Sequence, residues 1–387
     1  MAAALSNIRV VDMSRILAGP WAGQLLGDYG ADVVKVERPG VGDDTRQWGP
    51  PWLGEEDARE SAYFLSANRN KRSITVNLAS ELGQQVIRGL VASADVLLEN
   101  YKVGTMSRFG LGHDELMALN PRLVYCSISA FGQSGSRASE PGYDAMIQAS
   151  AGLMSITGPE ARDSDGPQKV GVAIADIMAG MYATTAILAA LNAREQTGRG
   201  QHIDVPLYDS QVAWLANQAM NYLVGGEAPG RLGTAHPNLV PYQAFATSDG
   251  SLMLAIGNDA QFKAFADCIG EPDLATDERF RRNSDRIANR AELVTRLRRI
   301  LSVGTTEYWL AKLGASGVPA GPINDIEQVL TNAQARERTF VRHLKNARGQ
   351  QVPTVSNPVD FSETPVGYKL APPLLGEHTD EVLREWL

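Results

Sequence analysis

Short apolar runs alternate with stretches of helical period along the first third of the chain. Strands separated by helical patterns predict right-handed βαβ units, and therefore a mainly parallel sheet with helices on both faces. We expect an α/β fold. The helical patterns begin near residue 18 and at residue 81, and the predicted strands are residues 8–14, 31–40, 72–78, 95–101 and 123–132.

Residues 171–193 form an apolar run long enough to resemble a membrane span, but the run contains Asp176. An ionised carboxylate inside a bilayer costs roughly 2.5–3.5 kcal/mol on insertion scales. A buried core helix over residues 176–196 is the better prediction, with Gly198 as its left-handed C-cap. Because the N-terminus lacks the basic start and apolar run of a signal peptide, we expect a cytoplasmic protein that does not enter a membrane.

The character of the chain changes after a Gly/Pro-rich stretch, residues 225–241, which is typical of a linker. Residues 244–257 predict a hairpin around an Asp-Gly turn, and several helical patterns and one short strand follow. We expect a large domain that begins with residues 1–224 and a smaller α+β domain over residues 242–323. Residues 324–387 carry their own helix and strand signals and end in an amphipathic helix.

Composition argues against several functional classes. The net charge is −8, from 36 basic and 44 acidic residues, whereas a nucleic-acid surface normally shows a basic excess. Cys126 and Cys268 lie far apart, as expected of unpaired thiols in a reducing compartment. The five histidines show no metal-ligand spacing, so we predict no metal centre.

The first βαβ unit lacks the pattern of a nicotinamide or flavin site. Glu37 does end its second strand, but the close glycine pair of G-x-G-x-x-G is absent. We interpret the glycines of this unit as positions where the helix packs closely on the sheet; they are Gly19, Gly23, Gly27 and Gly30.

Basic residues recur where the parallel strands should end. Open α/β sheets bind ligands outside the carboxyl ends of their strands, and Arg and Lys side chains suit phosphate oxygens. A single such residue is typical of a solvated surface, but the recurrence favours an anionic, phosphate-bearing ligand. The residues are Arg38, Lys71, Arg72 and Arg108.

Asp176 and Gly257 each allow a structural and a functional interpretation. Asp176 could be an ordinary N-cap of its helix, or the helix N-terminus could stabilise a carboxylate that attacks a thioester carbonyl. Around Gly257, Asn258 or Asp259 could cap the next helix after an ordinary turn. Alternatively, backbone N–H groups there could stabilise an oxyanion.

Longer motifs follow one another nearly end to end: LAGPWAGQLLGDYGADVVKVERPGVGDDTR, NRNKRSITVNL, ADVLLENY, PGYDAMIQASAGLMSITG, GVAIADIMAGMYATTAILAAL, TGRGQHIDVPLYDSQV, SGVPAGPIND and PPLLGEHTDEVL. Together they resemble the family III CoA-transferases, a group that also includes α-methylacyl-CoA racemases. The resemblance implies an interlocked homodimer of ring-like subunits, each with a large Rossmann-like domain and a small domain. It also implies that residues 324–387 return to the large domain.

The resemblance implies roles for particular residues. Asp176 matches the nucleophile, and the region of Gly257 matches a glycine-rich loop over the active site, reduced here to GNDAQ. Acyl-CoA and a small carboxylic acid are the implied substrates, with no permanently bound cofactor and no metal. The expected CoA-contacting residues are Arg38, Arg72, Arg108, Asn100 and Tyr101, to which the strand-end pattern adds Lys71.

The racemase branch is the alternative activity. That branch uses a His in the stretch that reads PGYDAMIQAS here, where this chain has Tyr143; a phenol with a pKa near ~10 is a poor substitute. The stretch NYLVGGEAPGRLGTAHPNLVPYQAF is similar to dicarboxylate CoA-transferases that use succinyl-CoA with glutarate, itaconate or malate. Tyr143 is expected at the substrate, and Arg231 and His236 at the distal carboxylate of the acid.

Overall fold

The computed structural model describes residues 3–160 and 166–387. The strands, numbered in chain order, are β1 (Arg9–Asp12), β2 (Asp32–Glu37), β3 (Trp52–Leu53), β4 (Glu60–Ser61), β5 (Lys71–Thr75), β6 (Val96–Glu99), β7 (Val124–Ser129), β8 (His202–Pro206), β9 (Tyr242–Ala246), β10 (Ser251–Ala255), β11 (Ala320–Pro322), β12 (Val341–Lys345) and β13 (Gln351–Val355).

The helices, numbered in the same way, are α1 (Ala18–Asp28), α2 (Ala62–Ser66), α3 (Glu81–Ala92), α4 (Thr105–Arg108), α5 (His113–Leu119), α6 (Asp144–Ser150), α7 (Ile174–Thr197), α8 (Leu207–Ala213), α9 (Ala216–Gly225), α10 (Asp259–Ile269), α11 (Asn283–Ala288), α12 (Arg290–Leu301), α13 (Thr306–Ala315), α14 (Ile326–Thr331), α15 (Ala333–Glu337) and α16 (Thr379–Trp386).

A six-stranded sheet in the order β5-β2-β1-β6-β7-β8 forms the centre of the fold. Every neighbouring pair in it is parallel, so the predicted α/β fold with a parallel sheet is confirmed. The five predicted strands coincide with β1, β2, β5, β6 and β7. β8 is an addition, since its sequence HIDVP contains only two aliphatic residues.

Two apolar cores cover the two faces of this sheet. On one face, α1 and α7 pack on the sheet through residues such as Leu26 and Ile187. On the other face, α3, α5 and α16 pack through residues such as Ile87, Leu116 and Trp386. The predicted burial of a parallel sheet on both faces is therefore present.

The long apolar segment is a core helix, as predicted. α7 has 24 residues, ten of which are buried. Gly198 ends it with φ 71° and donates its N–H to the carbonyl oxygen of Arg194 at 2.8 Å, the expected left-handed cap. The start differs from the prediction, because the N-cap is Ala173 and Asp176 is the third residue of the first turn.

The glycines of α1 have the packing role inferred from the sequence. A Cβ added at Gly23 would lie 2.6 Å from a carboxylate oxygen of Asp12 and 3.2 Å from the ammonium nitrogen of Lys71. Any side chain there would displace a buried ion pair, so α1 approaches the sheet closely only because this residue is glycine.

The described residues group into two compact units. The first consists of Met1–Leu153, Lys169–Glu227 and Gln334–Leu387, and the second of Met154–Gln168 and Ala228–Ala333. The second unit contains the antiparallel sheet β11-β10-β9, with the predicted hairpin between β9 and β10. Helices α10, α12 and α13 pack on it around Phe245, Phe262 and Leu297.

The last part of the chain is bonded to the early part of the first unit. The backbone N–H of His378 donates to the carbonyl oxygen of Ser73 at 2.9 Å, and that of Asn70 donates to Leu370 at 2.9 Å. Arg72 forms ion pairs with Glu381 at 2.8 Å and Glu385 at 2.7 Å, both on α16. These contacts attach α16 to β5.

Candidate active site

A cleft of about 450 Å³ opens in the first unit at the carboxyl ends of β1, β6 and β7. This is the edge at which open α/β sheets bind ligands. The loop after β1, the loop after β6, the segment before α6 and the first turn of α7 form its walls. Among the lining residues are Arg15, Ile16, Asn100, Tyr101, Tyr143 and Asp176.

Asp176 is the nucleophile candidate of this cleft. The residue is only 9% exposed, and no residue in the described parts of the chain donates a hydrogen bond to its carboxylate. Burial, and then the neighbouring carboxylate of Asp144, raise the pKa of Asp176 to about 7. A carboxyl group with this pKa is more nucleophilic than an ordinary aspartate and is still substantially ionised at neutral pH.

Asp144, which sequence reasoning did not single out, organises the start of α7. Its Oδ1 accepts the backbone N–H of Ala175 at 2.8 Å, so α6 supplies the side-chain cap that Ala173 cannot provide. Its Oδ2 accepts a hydrogen bond from Gln148 at 2.7 Å. The only sequence signal for this role was an acidic residue directly after Tyr143, and pairing it with α7 needs the tertiary fold.

The loop after β1 is held in an unusual conformation. Ile16 has φ 71°, a left-handed conformation that is costly for a β-branched residue. Its backbone N–H donates to Asp43 at 3.2 Å, and the neighbouring Arg15 N–H donates to the side chain of Asn100 at 2.8 Å. Asp43 is in turn ion-paired with the buried Lys35 at 2.9 Å. A buried network therefore fixes one wall of the cleft.

Two cations border the cleft and share one acid. Arg15 and Arg38 both pair with Asp44, at 2.8 Å and 2.6 Å. Arg38 directly follows β2, at the predicted carboxyl end of the sheet. Arg108 ends α4, in the connection after β6, and contacts Thr105 at 3.3 Å. Lys102 also lines the cleft.

A profile described as CoA-transferase family III matches residues 5–379. The chain belongs to this family. It is 46% identical over 388 residues to a protein of Agrobacterium fabrum named succinate–glutarate CoA-transferase, with 98% of this chain and 95% of that protein covered. It is 42% identical to a human protein named succinyl-CoA:glutarate CoA-transferase, with 99% and 86% covered. The crystal structure of a CAIB/BAIF family protein from Brucella suis matches with a TM-score of 0.88, 46% identity and full coverage of both chains.

This CoA-transferase is therefore an enzyme whose substrates include CoA thioesters. Its long apolar helix is half-buried core, as in a soluble enzyme. Within the described residues, no cluster of three or more His, Cys, Asp or Glu side chains is arranged to hold a metal ion.

Lys71 and Arg72 do not lie at the carboxyl end of a strand, as the sequence pattern predicted. β5 begins at Lys71, so both residues lie at the amino end of their strand and not at its carboxyl end. Lys71 is fully buried and donates to Asp12, Pro20 and Asn68 at 2.8–3.0 Å. Arg72 binds Asp32 as well as the two acids of α16. Both side chains therefore have partners within the fold, and their predicted contact with CoA stays a prediction.

Asn100 and Tyr101 follow β6 and both line the cleft. The side-chain amide of Asn100 forms two hydrogen bonds with the backbone of Arg15. Its Oδ1 accepts the N–H of Arg15 at 2.8 Å, and its Nδ2 donates to the carbonyl oxygen of Arg15 at 2.7 Å. The guanidinium of Arg15 lies over the ring of Tyr101, with the Cζ of Arg15 5.4 Å from the ring centroid. The backbone N–H of Tyr101 donates to the carboxylate of the buried Glu99 at 2.7 Å. Burial raises the pKa of Glu99 to about 7.

Three predicted site residues belong to the second unit. Gly257 donates its N–H to the side chain of Gln261 at 2.7 Å, and Asn258 caps α10 as the structural interpretation expected. Arg231 donates through Nε to the carbonyl oxygen of Pro159 at 3.1 Å. The Nδ1 of His236 accepts the backbone N–H of Asn238 at 3.0 Å.

Tyr143 precedes α6 and lines the cleft with 64% of its surface exposed. A second cavity, of about 600 Å³, shares Leu17 with the cleft. It is lined by Tyr63, Asp144 and Lys169 among others. Burial and the carboxylates of Asp176 and Asp144 raise the pKa of Tyr63 to about 12, so this phenol remains a hydrogen-bond donor.

Proposed function

We propose that this enzyme transfers CoA from succinyl-CoA to a short dicarboxylate such as glutarate, itaconate or malate, with Asp176 as the acyl carrier. The observation that carries the proposal is the Asp176 carboxylate, which is buried in the cleft without a hydrogen-bond donor and has a raised pKa. The substrate class is supported by the names of the two relatives above.

The reaction needs neither ATP nor a metal, because one thioester is exchanged for another. Asp176 attacks the thioester carbonyl of succinyl-CoA and the carbon–sulfur bond breaks. CoA thiolate departs, and a mixed anhydride between Asp176 and succinate remains on the enzyme. The thiolate attacks the aspartyl carbonyl, succinate leaves, and an aspartyl-CoA thioester forms. The acceptor carboxylate then displaces the thiolate, and the thiolate attacks the acceptor carbonyl. This last step releases the new acyl-CoA and restores the Asp176 carboxylate.

Each of these steps requires that water be kept away, because anhydrides hydrolyse readily. The positive end of α7 favours negative charge near Asp176. A role for Gly257 as an oxyanion donor requires the Gln261 side chain to release the N–H that it now accepts. We retain Arg38, Arg108 and Tyr101 as proposed CoA contacts.

The test is the intact mass of the enzyme incubated with succinyl-CoA and hydroxylamine. We expect a hydroxamate that maps to Asp176, is absent from Asp176→Ala, and is retained in Asp209→Asn, an exposed acid on α8. Solvent deuterium incorporation into a 2-methylacyl-CoA without any hydroxamate would contradict the transferase and favour the racemase branch.

We also propose that the enzyme is an interlocked homodimer, as the family resemblance implies, and that it is located in the cytoplasm. Its molar mass in solution tests the dimer, and a mass equal to the 41.7 kDa of one chain would refute it.

A further inference from the structure

Helix α6 holds the segment that leads into α7 through one connected set of buried hydrogen bonds. Gln148, with none of its surface exposed, accepts the N–H of Val170 at 2.8 Å and donates to Asp144 at 2.7 Å. Asp144 accepts the N–H of Ala175 at 2.8 Å. We call Asp144 and Gln148 the α6 clamp. The clamp fixes the backbone on both sides of residues 171–174, at Val170 and at Ala175, the residue directly before Asp176.

The clamp also places a carboxylate next to the nucleophile. Asp144 is 9% exposed, as Asp176 is, and it is the one charged group that raises the pKa of Asp176. The other titratable groups around Asp176 are Tyr63 from α2 and the cleft residues Arg15, Asp44, Tyr101, Lys102, Glu140 and Tyr143. Two carboxylates that share a buried site repel each other, because little water screens them.

Asp144 needs no negative charge in order to cap α7. Capping uses one acceptor oxygen, which serine, threonine or asparagine supplies equally well. The charge has its own consequence, because acylation changes Asp176 from an anion into a neutral anhydride or thioester. The repulsion is present in the free enzyme and absent from both acyl-enzymes. It therefore favours acylation by the same free energy by which it disfavours ionisation.

We propose that Asp144 is a positioning residue of the transfer reaction, which holds the first turn of α7 and whose charge shifts Asp176 towards its acylated forms, with Gln148 fixing Asp144 in place. This inference rests on the proposed function, since it requires that Asp176 be acylated. The two roles of Asp144 can be separated, because hydrogen bonding and charge respond differently to substitution.

The experiment compares wild type with Asp144→Asn, which removes the charge, and with D144N/Q148E, which moves it to residue 148. In Asp144→Asn alone, the new NH₂ group would face the NH₂ group of Gln148. The second change restores an acceptor there, and that carboxylate still accepts the N–H of Val170. The double variant keeps the hydrogen bonds to Val170 and Ala175 and the bond between residues 144 and 148, but loses the donation from Gln148 to the carbonyl oxygen of Val172 at 3.4 Å. It moves the negative charge from residue 144 to residue 148 without changing the net charge. Asp209→Asn is the matched control for Asp144→Asn, because it removes an acidic charge elsewhere in the unit.

Two measurements are made on each variant: the acid limb of kcat/KM against pH, and the ratio of acylated to free enzyme at a fixed ratio of succinyl-CoA to succinate near pH 8. In Asp144→Asn the limb should move to lower pH, because removing a like charge lowers the pKa of Asp176. In the double variant, which keeps that charge but moves it to residue 148, the limb should move less. For every pH unit of that shift, the acylation ratio should fall about tenfold, since one free energy governs both. A purely structural role would not produce this proportionality.

An unchanged limb and ratio in stably folded Asp144→Asn would overturn the proposal. So would a fall in kcat with no movement of the limb, which would leave Asp144 as a cap only. If Asp144→Asn does not fold, the proportionality is measured on the double variant, in which residue 148 again accepts a hydrogen bond from residue 144. If wild type forms no acyl-enzyme at all, the proposed function itself fails, and the hydroxylamine assay reports that separately.

Discussion

At the scale of single residues, burial and hydrogen bonding decide which charged groups are available for chemistry. Asp176 and Lys71 are both buried in a sheet-and-helix core. Lys71 has three hydrogen-bond acceptors around its ammonium group, whereas Asp176 has no donor among the described residues. Partners offset part of the cost of burying the Lys71 charge, although burial still lowers the pKa of Lys71 to about 8. The ionised Asp176 carboxylate has no such partner, so it has excess free energy that a reaction can relieve.

Replacing Asp176 with Asn should stabilise the fold at high pH and leave it unchanged in acid. The folded-state pKa of about 7 is above the 3.8 of an unperturbed aspartate, so the folded protein binds more protons than the unfolded chain and loses stability as pH rises through this window. The difference in free energy of unfolding should be near zero below about pH 4 and reach at most about 4 kcal/mol near pH 8. Urea unfolding at both pH values checks this.

Replacing Arg231 with Met should raise the KM for the acceptor acid by at least about tenfold while the KM for succinyl-CoA changes little. A distal carboxylate that loses a charged partner loses about 1.5–3 kcal/mol of binding. Initial rates with glutarate as the varied substrate measure this, with Arg298→Met, an exposed arginine on α12, as the matched control. An unchanged acceptor KM would contradict the proposed role of Arg231 in binding the acceptor acid.

At the scale of elements, neighbouring segments impose the geometry of the cleft. The loop after β1 has its conformation because Asn100 and Asp43 take its N–H groups. The first turn of α7 has its position because α6 caps it. Each wall depends on a buried carboxylate that does not line the cleft: Asp43 holds the loop after β1, and Asp144 holds the first turn of α7.

Replacing Lys71 with Met should lower the free energy of unfolding by about 3–5 kcal/mol, because Asp12 would remain buried without its ammonium partner. The fraction that stays folded should bind succinyl-CoA with an unchanged KM. Urea unfolding and initial rates check both parts. Lys263→Met, an exposed lysine on α10, should change stability by less than about 0.5 kcal/mol. A raised KM at normal stability would instead restore Lys71 as a CoA contact.

Periodicity was sufficient to predict elements but insufficient to predict pairings. Strands such as residues 31–40 and the core helix from residue 176 were recognisable, because their apolar positions follow one local period. Asp176 could be predicted as a candidate for the same reason, since it interrupts an apolar run. Asp144 could not, because its partner Ala175 is 31 residues away. The prediction that Lys71 lies at the carboxyl end of its strand was wrong, because a single polar residue does not show which end of a strand it occupies.

At the scale of the whole molecule, the first unit is discontinuous in sequence. Gln334–Leu387 belong to it, although Ala228–Ala333 belong to the second unit. The returning segment supplies α16 to one face of the sheet, where Val382 and Trp386 complete an apolar core. It also supplies two of the three acids that bind Arg72.

The return of the chain has a consequence for its synthesis. A ribosome releases β5 and α3 long before it releases α16, and the intervening second unit takes on the order of 5–20 s to translate. During that time the core around Ile87 and Leu90 lacks Trp386. Nascent chains in this state expose an apolar surface, so we expect the early half of this enzyme to depend on chaperones until its last helix emerges.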